Sequence, residues 1–340
     1  MVLRILEISA PDSSKDTLHE LAEKHKAIDW WYGAKNKDNR RTTRILVNVH
    51  NQQELMDEIQ KAMHKEKNWR LVVIPVDACL PKVELEKEEE GNGKKRKTAF
   101  QAGTITREEL YTKMAKGANL DMNFILLAAL STIVATIGLI QNNVAVVIGA
   151  MVIAPFLGPN LALAFGAAVG DKSLIWTSIK TNLAGMGITL VITILIGLLV
   201  PTYDLESTEI ITRTIVGYDS VILALASGAA AVLSLSSGLS SALVGVMVAV
   251  ALLPPAATAG LMLGTGLFGA AFGAGLLLLT NIVCVGLSAQ VIFLLKGIKP
   301  RTWYMRKKSE QSVRLNMIIW GLLLATLIVI MTLRIYIFHS

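Results

Sequence analysis

Apolar and polar positions divide the chain into two regions of opposite character. Over the first eighty residues, short runs with alternating or helical spacing of apolar side chains follow one another. Val2 to Ile8 is a β-rich run, and Lys15 to Lys26 sets Leu18, Leu21 and Ala22 at helical spacing behind a Ser/Asp start. Ile28 to Gly33 is short and aromatic, and Thr42 to Val49 alternates again. Glu54 to His64 turns Leu55, Ile59 and Met63 to one side, and Arg70 to Val76 reads as a strand. The order is βαββαβ, which predicts a ferredoxin-like α+β domain over residues 1–80. Many unrelated activities share that fold, so it says little about function by itself.

The pattern lapses over residues 81–105, a charge-blocked linker that is acidic over Glu84 to Glu90 and basic over Lys94 to Lys97. Its composition predicts flexibility. Thr106 and Glu109 then make a capping box opening an amphipathic helix over residues 106–120, with Leu110, Met114 and Ala118 on one side. That helix fits two placements, at a membrane interface or as an ordinary connector.

Beyond it come seven apolar spans, at about 124–140, 144–169, 182–200, 221–236, 240–265, 270–295 and 315–338. Each is near the roughly 20 residues that a bilayer core requires. Lys113 and Lys116 precede the first span, Lys172 and Lys180 fall between the second and third, and the basic segment 297–314 precedes the last. Positive charge marks cytoplasmic segments. The chain is therefore expected in the cytoplasmic (inner) membrane with its amino terminus inside. Segment 201–220, with Asp204, Glu206, Glu209 and Asp219 against Arg213, and the carboxyl terminus are expected outside.

Composition sharpens this picture. The 340 residues are 53% hydrophobic and only 17% charged, and Val221 to Leu295 carries no ionisable side chain except Cys284. No soluble core needs so long a neutral stretch. The first thirty residues mix Glu7, Asp12, Lys15, Asp16 and His19 with short apolar runs, unlike a cleavable signal peptide. The net charge of +7 sits at membrane flanks without a basic, aromatic-interleaved face, so nucleic acid is not expected as a partner. Cys79 and Cys284 are in settings that favour free thiols over a disulfide.

The spans also repeat. Laying the second over the fifth brings Gly149, Met151, Val152 and Pro159 onto Gly245, Met247, Val248 and Pro255. After a small gap, Thr181, Asn182 and Gly187 fall on Thr280, Asn281 and Gly286. Each copy has three spans, 121–200 and 221–296, and an odd number forces the second to enter from the opposite side. The expected architecture is a polytopic α-helical membrane protein with an inverted 3+3 repeat, one final helix over 315–340, and a cytoplasmic α+β domain.

Inverted repeats with Gly/Pro-interrupted segments are the pattern of many secondary transporters, whose broken helices meet near the midplane. The interrupting residues here are Gly149, Pro155 and Pro159 in one copy, and Gly245, Pro254 and Pro255 in the other. Proline frees a carbonyl that hydrocarbon leaves without a partner. Asn160, Thr181, Asn182, Thr258, Thr280 and Asn281 are the candidate binding residues. They fit interhelical hydrogen bonds as well as a ligand, and Asn182 and Asn281 are balanced between the two. No Asp, Glu, Lys, Arg or His lies inside the first six spans, and the five histidines form no metal-ligand spacing. Catalysis is not expected, and no cofactor is indicated.

The run LSTIVATIGLIQNNVAVVIGAMVIAPFLGPNLALAFGAAVGD, Leu130 to Asp171, closely resembles the signature of the bacterial and archaeal membrane family known as domain of unknown function 389, or the uncharacterised hydrophobic domain. The resemblance extends over the membrane portion and implies its architecture. Its name records no settled activity, and no functional residue carries over from it. The residues themselves favour a transporter or channel for a small ion or polar solute, assembled as a homo-oligomer, taken as a trimer. Its soluble domain would be regulatory, binding a small ligand or pairing with its copies in neighbouring subunits. The competing reading is a membrane-anchored sensor or assembly scaffold, and an enzyme acting on a lipid-soluble substrate ranks below both.

Overall fold

The computed structural model describes residues 3–36, 38–66, 68–76, 79, 106–200, 207–237, 241–298 and 303–339. The expected linker at 81–105 lies outside them. Two compact units form, Met1–Arg107 and Glu108–Ser340.

The first unit runs β1 (Leu3–Pro11), α1 (Lys15–Lys24), β2 (Asp29–Lys35), β3 (Arg40–Asn48), α2 (Val49–Ala62) and β4 (Arg70–Val76). Its strands form one antiparallel sheet in the order β2-β3-β1-β4. Alternation along β1 sends Leu6, Ile8 and Ala10 into the core with Leu18, Ala22, Leu55 and Ile59 from the helices. Glu7 faces the other way and meets Arg44, its register partner on β3, at 2.6 Å.

Between the helices, Glu58 of α2 receives Lys24 Nζ at 2.8 Å and His25 Nε2 at 3.0 Å. Lys24 first and His25 second hold its carboxyl down at about 2. A carboxyl depressed in the fold contributes stability that is complete above its ordinary value near 4.5 and is lost as pH falls through about 2. In the full-length protein, hydrogen-exchange protection of α1 and α2 is expected to decline across that window. Glu58→Gln should remove this part of the decline; an unchanged profile would refute the assignment.

The second unit is helical. Its elements are α3 (Arg107–Gly117), α4 (Met122–Ile140), α5 (Val144–Ile153), α6 (Leu157–Val169), α7 (Lys172–Leu199), α8 (Thr208–Thr214), α9 (Tyr218–Ser236), α10 (Ser241–Gly264), α11 (Phe268–Leu295) and α12 (Trp303–His339). Among the described residues, five of them have stretches long and apolar enough to cross a membrane, and six do if the bent pair α5–α6 counts as one. Within α10, Ala251–Gly264 is a shorter apolar segment.

Three segments expected between the apolar spans are helical at least in part. Helix α7 starts at Lys172, not near 182, because Asp171 caps it, its carboxylate accepting from the Ser173 and Leu174 N–H groups. Lys180 therefore lies on the helix, over the Trp176 ring at 5.3 Å. The basic stretch before the last span is helical from Trp303 onward. Lys and Arg are good helix formers, so hydropathy marks where the membrane begins and not where the helix does. Segment 201–220 likewise contains α8, capped by Ser207.

Helix α3 packs its apolar side against protein. Leu110, Met114 and Ala118 are buried. Tyr111 stacks edge-on to Phe165 of α6 and donates to Asp171 Oδ2 at 2.8 Å. That bond, with burial second, raises the Tyr111 phenol above its ordinary value.

Small residues set a close crossing between α7 and α10. Gly260 and Gly264, one turn apart, face Thr193, Ile194 and Gly197 so closely that a Cβ on either glycine would strike α7. Thr132 and Thr189 join α4 to α7 at 3.0 Å.

Candidate functional site

The site residues gather around two proline-bearing segments, and the two segments behave differently. In the first, α5 ends at Ile153 and α6 begins at Leu157, with a bend of 57° between them. Pro155 accounts for the break, because a residue before proline is pushed out of the helical region. Ala154 accordingly sits at φ −64°, ψ 128°. Pro159 falls in the first turn of α6, where its missing N–H costs nothing.

Asn160 links this break to α7. Its Nδ2 donates to the Phe156 carbonyl at 2.8 Å and to Asn182 Oδ1 at 3.1 Å. Phe156 is fully buried, edge-on to Phe124 and pressed against Gly185, so the junction is packed as well as bonded. Thr181, the neighbour of Asn182, donates to the Ala118 carbonyl at 2.6 Å. Beside them Gly158 lies against the Gly117 backbone.

In the second segment the expected interruption is absent. Helix α10 continues through Pro254 and Pro255. Pro255 has no N–H for the carbonyl four residues earlier, that of Ala251. Asn281 of α11 supplies the missing donor, its Nδ2 lying 2.7 Å from the Ala251 oxygen. A side chain from the next helix thus replaces one rung of the backbone ladder, and the helix survives its proline.

Gly149 takes no part in the break. It is exposed on α5, with nothing within 4 Å of where a Cβ would sit. Gly245 belongs to α10, and its surroundings lie outside the described residues.

Thr258 and Thr280 differ from the other buried threonines. Thr132, Thr136 and Thr193 each donate to the carbonyl four residues back, at 2.7, 2.7 and 2.8 Å. Thr258 and Thr280 are at most 1% exposed, yet their hydroxyls have no partner among the described residues. Leaving such a group unsatisfied costs about 1–3 kcal/mol. Sequence reasoning found both, but it treated Thr181 and Thr280 as equivalents; only Thr181 is bonded. It did not single out the Thr132–Thr189 pair or the Tyr111–Asp171 bond, since neither partner's position is visible from spacing along one helix.

The first unit has an open cleft of about 530 Å³, where Lys24, His25, Asn51, Glu58 and Lys61 meet.

The family model described as Domain of unknown function (DUF389) matches residues 151–287, which include both proline segments. An uncharacterized protein of Methanocaldococcus jannaschii is 34% identical over 330 residues, covering 97% of this chain and 99% of its own. No solved structure matches the chain.

Proposed function

Since the chain belongs to the domain of unknown function 389 family, we propose a function from its own geometry: a transporter or channel for a small ion or polar solute, built on an inverted repeat. The observation that carries it is that the buried hydroxyls of Thr258 and Thr280 have no partner among the described residues, on the same two helices that the bond from Asn281 to Ala251 joins. Polar groups of that kind in an apolar bundle are offered to a ligand or to water. The N-terminal end of α6, opened inside the bundle at the break, adds the partial positive charge of a helix start.

The helix lengths support the repeat. Helices α4 and α9 each have 19 residues, and α7 and α11 each have 28. The matched Asn182 and Asn281 both bond at the proline segment of their own copy. That the bent pair makes one of seven crossings is supported by how helix ends meet. Ser207 bonds the Leu139 carbonyl, and the Glu209 N–H bonds Asn142, at the carboxyl end of α4 where α5 begins. Tyr111 of α3, the helix that precedes α4, bonds Asp171, where α6 ends, and the Ala118 carbonyl, four residues before α4, accepts from Thr181 of α7. The bent pair thus runs from one end of α4 to the other and reads as a broken span. With Lys172 and Lys180 inside, the amino terminus is cytoplasmic and the carboxyl terminus external.

The first unit has the strand order of a ferredoxin-like domain. We assign it a regulatory role, with its cleft as the place for a small ligand. Its other sheet face exposes Trp31, Val72 and Ile74, which suits pairing with further copies in a homo-oligomer such as a trimer. No catalytic residue, cofactor or nucleic-acid partner is assigned.

Flux in proteoliposomes tests the transport reading, across anions, cations and neutral metabolites. Silence toward all of them, with folded protein demonstrated, would refute it. One observation favours a sensor or scaffold: Asn160, Thr181, Asn182 and Asn281 already have protein partners. Cysteines at 182 and 281 discriminate, since aqueous thiol reagents reach a permeation path and not a helix seam.

A further inference from the structure

A second pair of amides, Gln290 fully buried and Asn316 half-buried, stands on α11 and α12. Two contacts set the register of these antiparallel neighbours. At one level, a Cβ on Gly286 would touch the Trp320 ring at 3.1 Å. At another, Arg334 of α12 lies against Gly273 and donates to the Gly269 carbonyl at 3.3 Å. Four residues beyond Gly286 on α11 is Gln290, and four residues before Trp320 on α12 is Asn316. In an antiparallel pair those positions are level, and a step of four keeps each on the face of its predecessor.

Neither amide is satisfied. Gln290 is 0% exposed, and both its Nε2 and its Oε1 lack partners among the described residues, as does the buried Nδ2 of Asn316. Asn316 shares the less exposed side of α12 with Trp320 and Leu327, whereas Leu315, Ile319 and Leu322 are exposed. A solvated or lipid-facing role would set Asn316 among the latter.

We propose that Gln290 and Asn316 form a polar site, separate from the one around Pro255, that binds a small uncharged solute carrying both a carbonyl or hydroxyl oxygen and an N–H or O–H. Two carboxamides offer up to four N–H donors and the Gln290 oxygen as acceptor, so the complement must accept and donate. Among the described residues, the ionisable side chains nearest in sequence to the two amides do not join them. Arg314 of α12 is exposed, and Lys296 lies beyond the end of α11. In such surroundings a bare ion forfeits hydration that two amides do not replace. Binding here does not depend on flux through the other site.

The test uses the full-length chain in liposomes with Cys79→Ser, Cys284→Ala and Val313→Cys, which puts a reporter thiol one turn from Asn316 and leaves both amides in place. Acetamide is the probe. Labelling by a water-soluble maleimide is expected to slow about threefold or more in acetamide and not in sodium chloride of equal osmolarity. Gln290→Leu and Asn316→Leu should each abolish the slowing. Labelling indifferent to acetamide would overturn the site, and equal slowing by chloride would overturn the uncharged class. A thiol inert until the protein is denatured would mean that the two amides only join helices. If Val313→Cys does not elute as folded protein, Leu324→Cys is the reporter from the other side of Asn316.

Discussion

Replacing Gly158 with valine is expected to unfold the junction between α3 and α6, at a cost of about 3 kcal/mol or more. The first atom added at that position falls onto the Gly117 carbonyl oxygen, with the Gly117 carbonyl carbon and Cα each at 3.0 Å. All three are backbone atoms, so no rotamer change relieves the overlap. One helix must move, and that motion separates Tyr111 from Asp171 and Thr181 from Ala118. Thermal unfolding of the detergent-solubilised protein would show a midpoint lowered by several degrees. Gly149→Val is the internal control: nothing lies within 4 Å of its Cβ position. Equal midpoints for the two variants would show that the contact at Gly158 is not structural.

Asn281→Leu is the second large effect, and its partner is a proline. The variant strands the Ala251 carbonyl, which has no rung from Pro255, at a cost of about 1–3 kcal/mol. If the transport reading holds, it also lowers flux about tenfold, the equivalent of about 1.4 kcal/mol at the site. A double-mutant cycle isolates the cause. Pro255→Ala restores an N–H four residues after Ala251, so Asn281→Leu should cost less in the Pro255→Ala background, with a coupling of about 1 kcal/mol. Additive losses would mean that Asn281 does not stand in for the missing donor.

These two sites show what one-dimensional pattern can and cannot reveal. The matching of Pro159 with Pro255, and of Thr181–Asn182 with Thr280–Asn281, was legible because proline and amides are scarce in apolar spans. Whether each proline breaks its helix was not. The break falls at Pro155, whose preceding residue leaves the helix, whereas at Pro254 and Pro255 the helix is kept with a donor from α11. A carbonyl freed by proline is a local fact, and its replacement partner is a fact about a neighbouring helix. Gly149 and Gly158 make the same point. Both sit in one glycine-rich run, yet Gly149 meets open space and Gly158 meets another backbone.

By itself the amino-acid sequence determined the small α+β unit, the membrane class, most helix positions and the family, because burial in a core or in lipid imposes a period or a length that a single chain displays. Tertiary structure alone decided that α3 packs on α6 and α7, that one proline segment breaks its helix while the other stays helical, and that Thr280 has no partner among the described residues while its counterpart Thr181 is bonded. Hydrophobicity acts on each residue separately and so leaves its mark along the chain. Hydrogen bonds and close backbone contacts join residues from different helices, and which atoms meet depends on how those helices turn and cross.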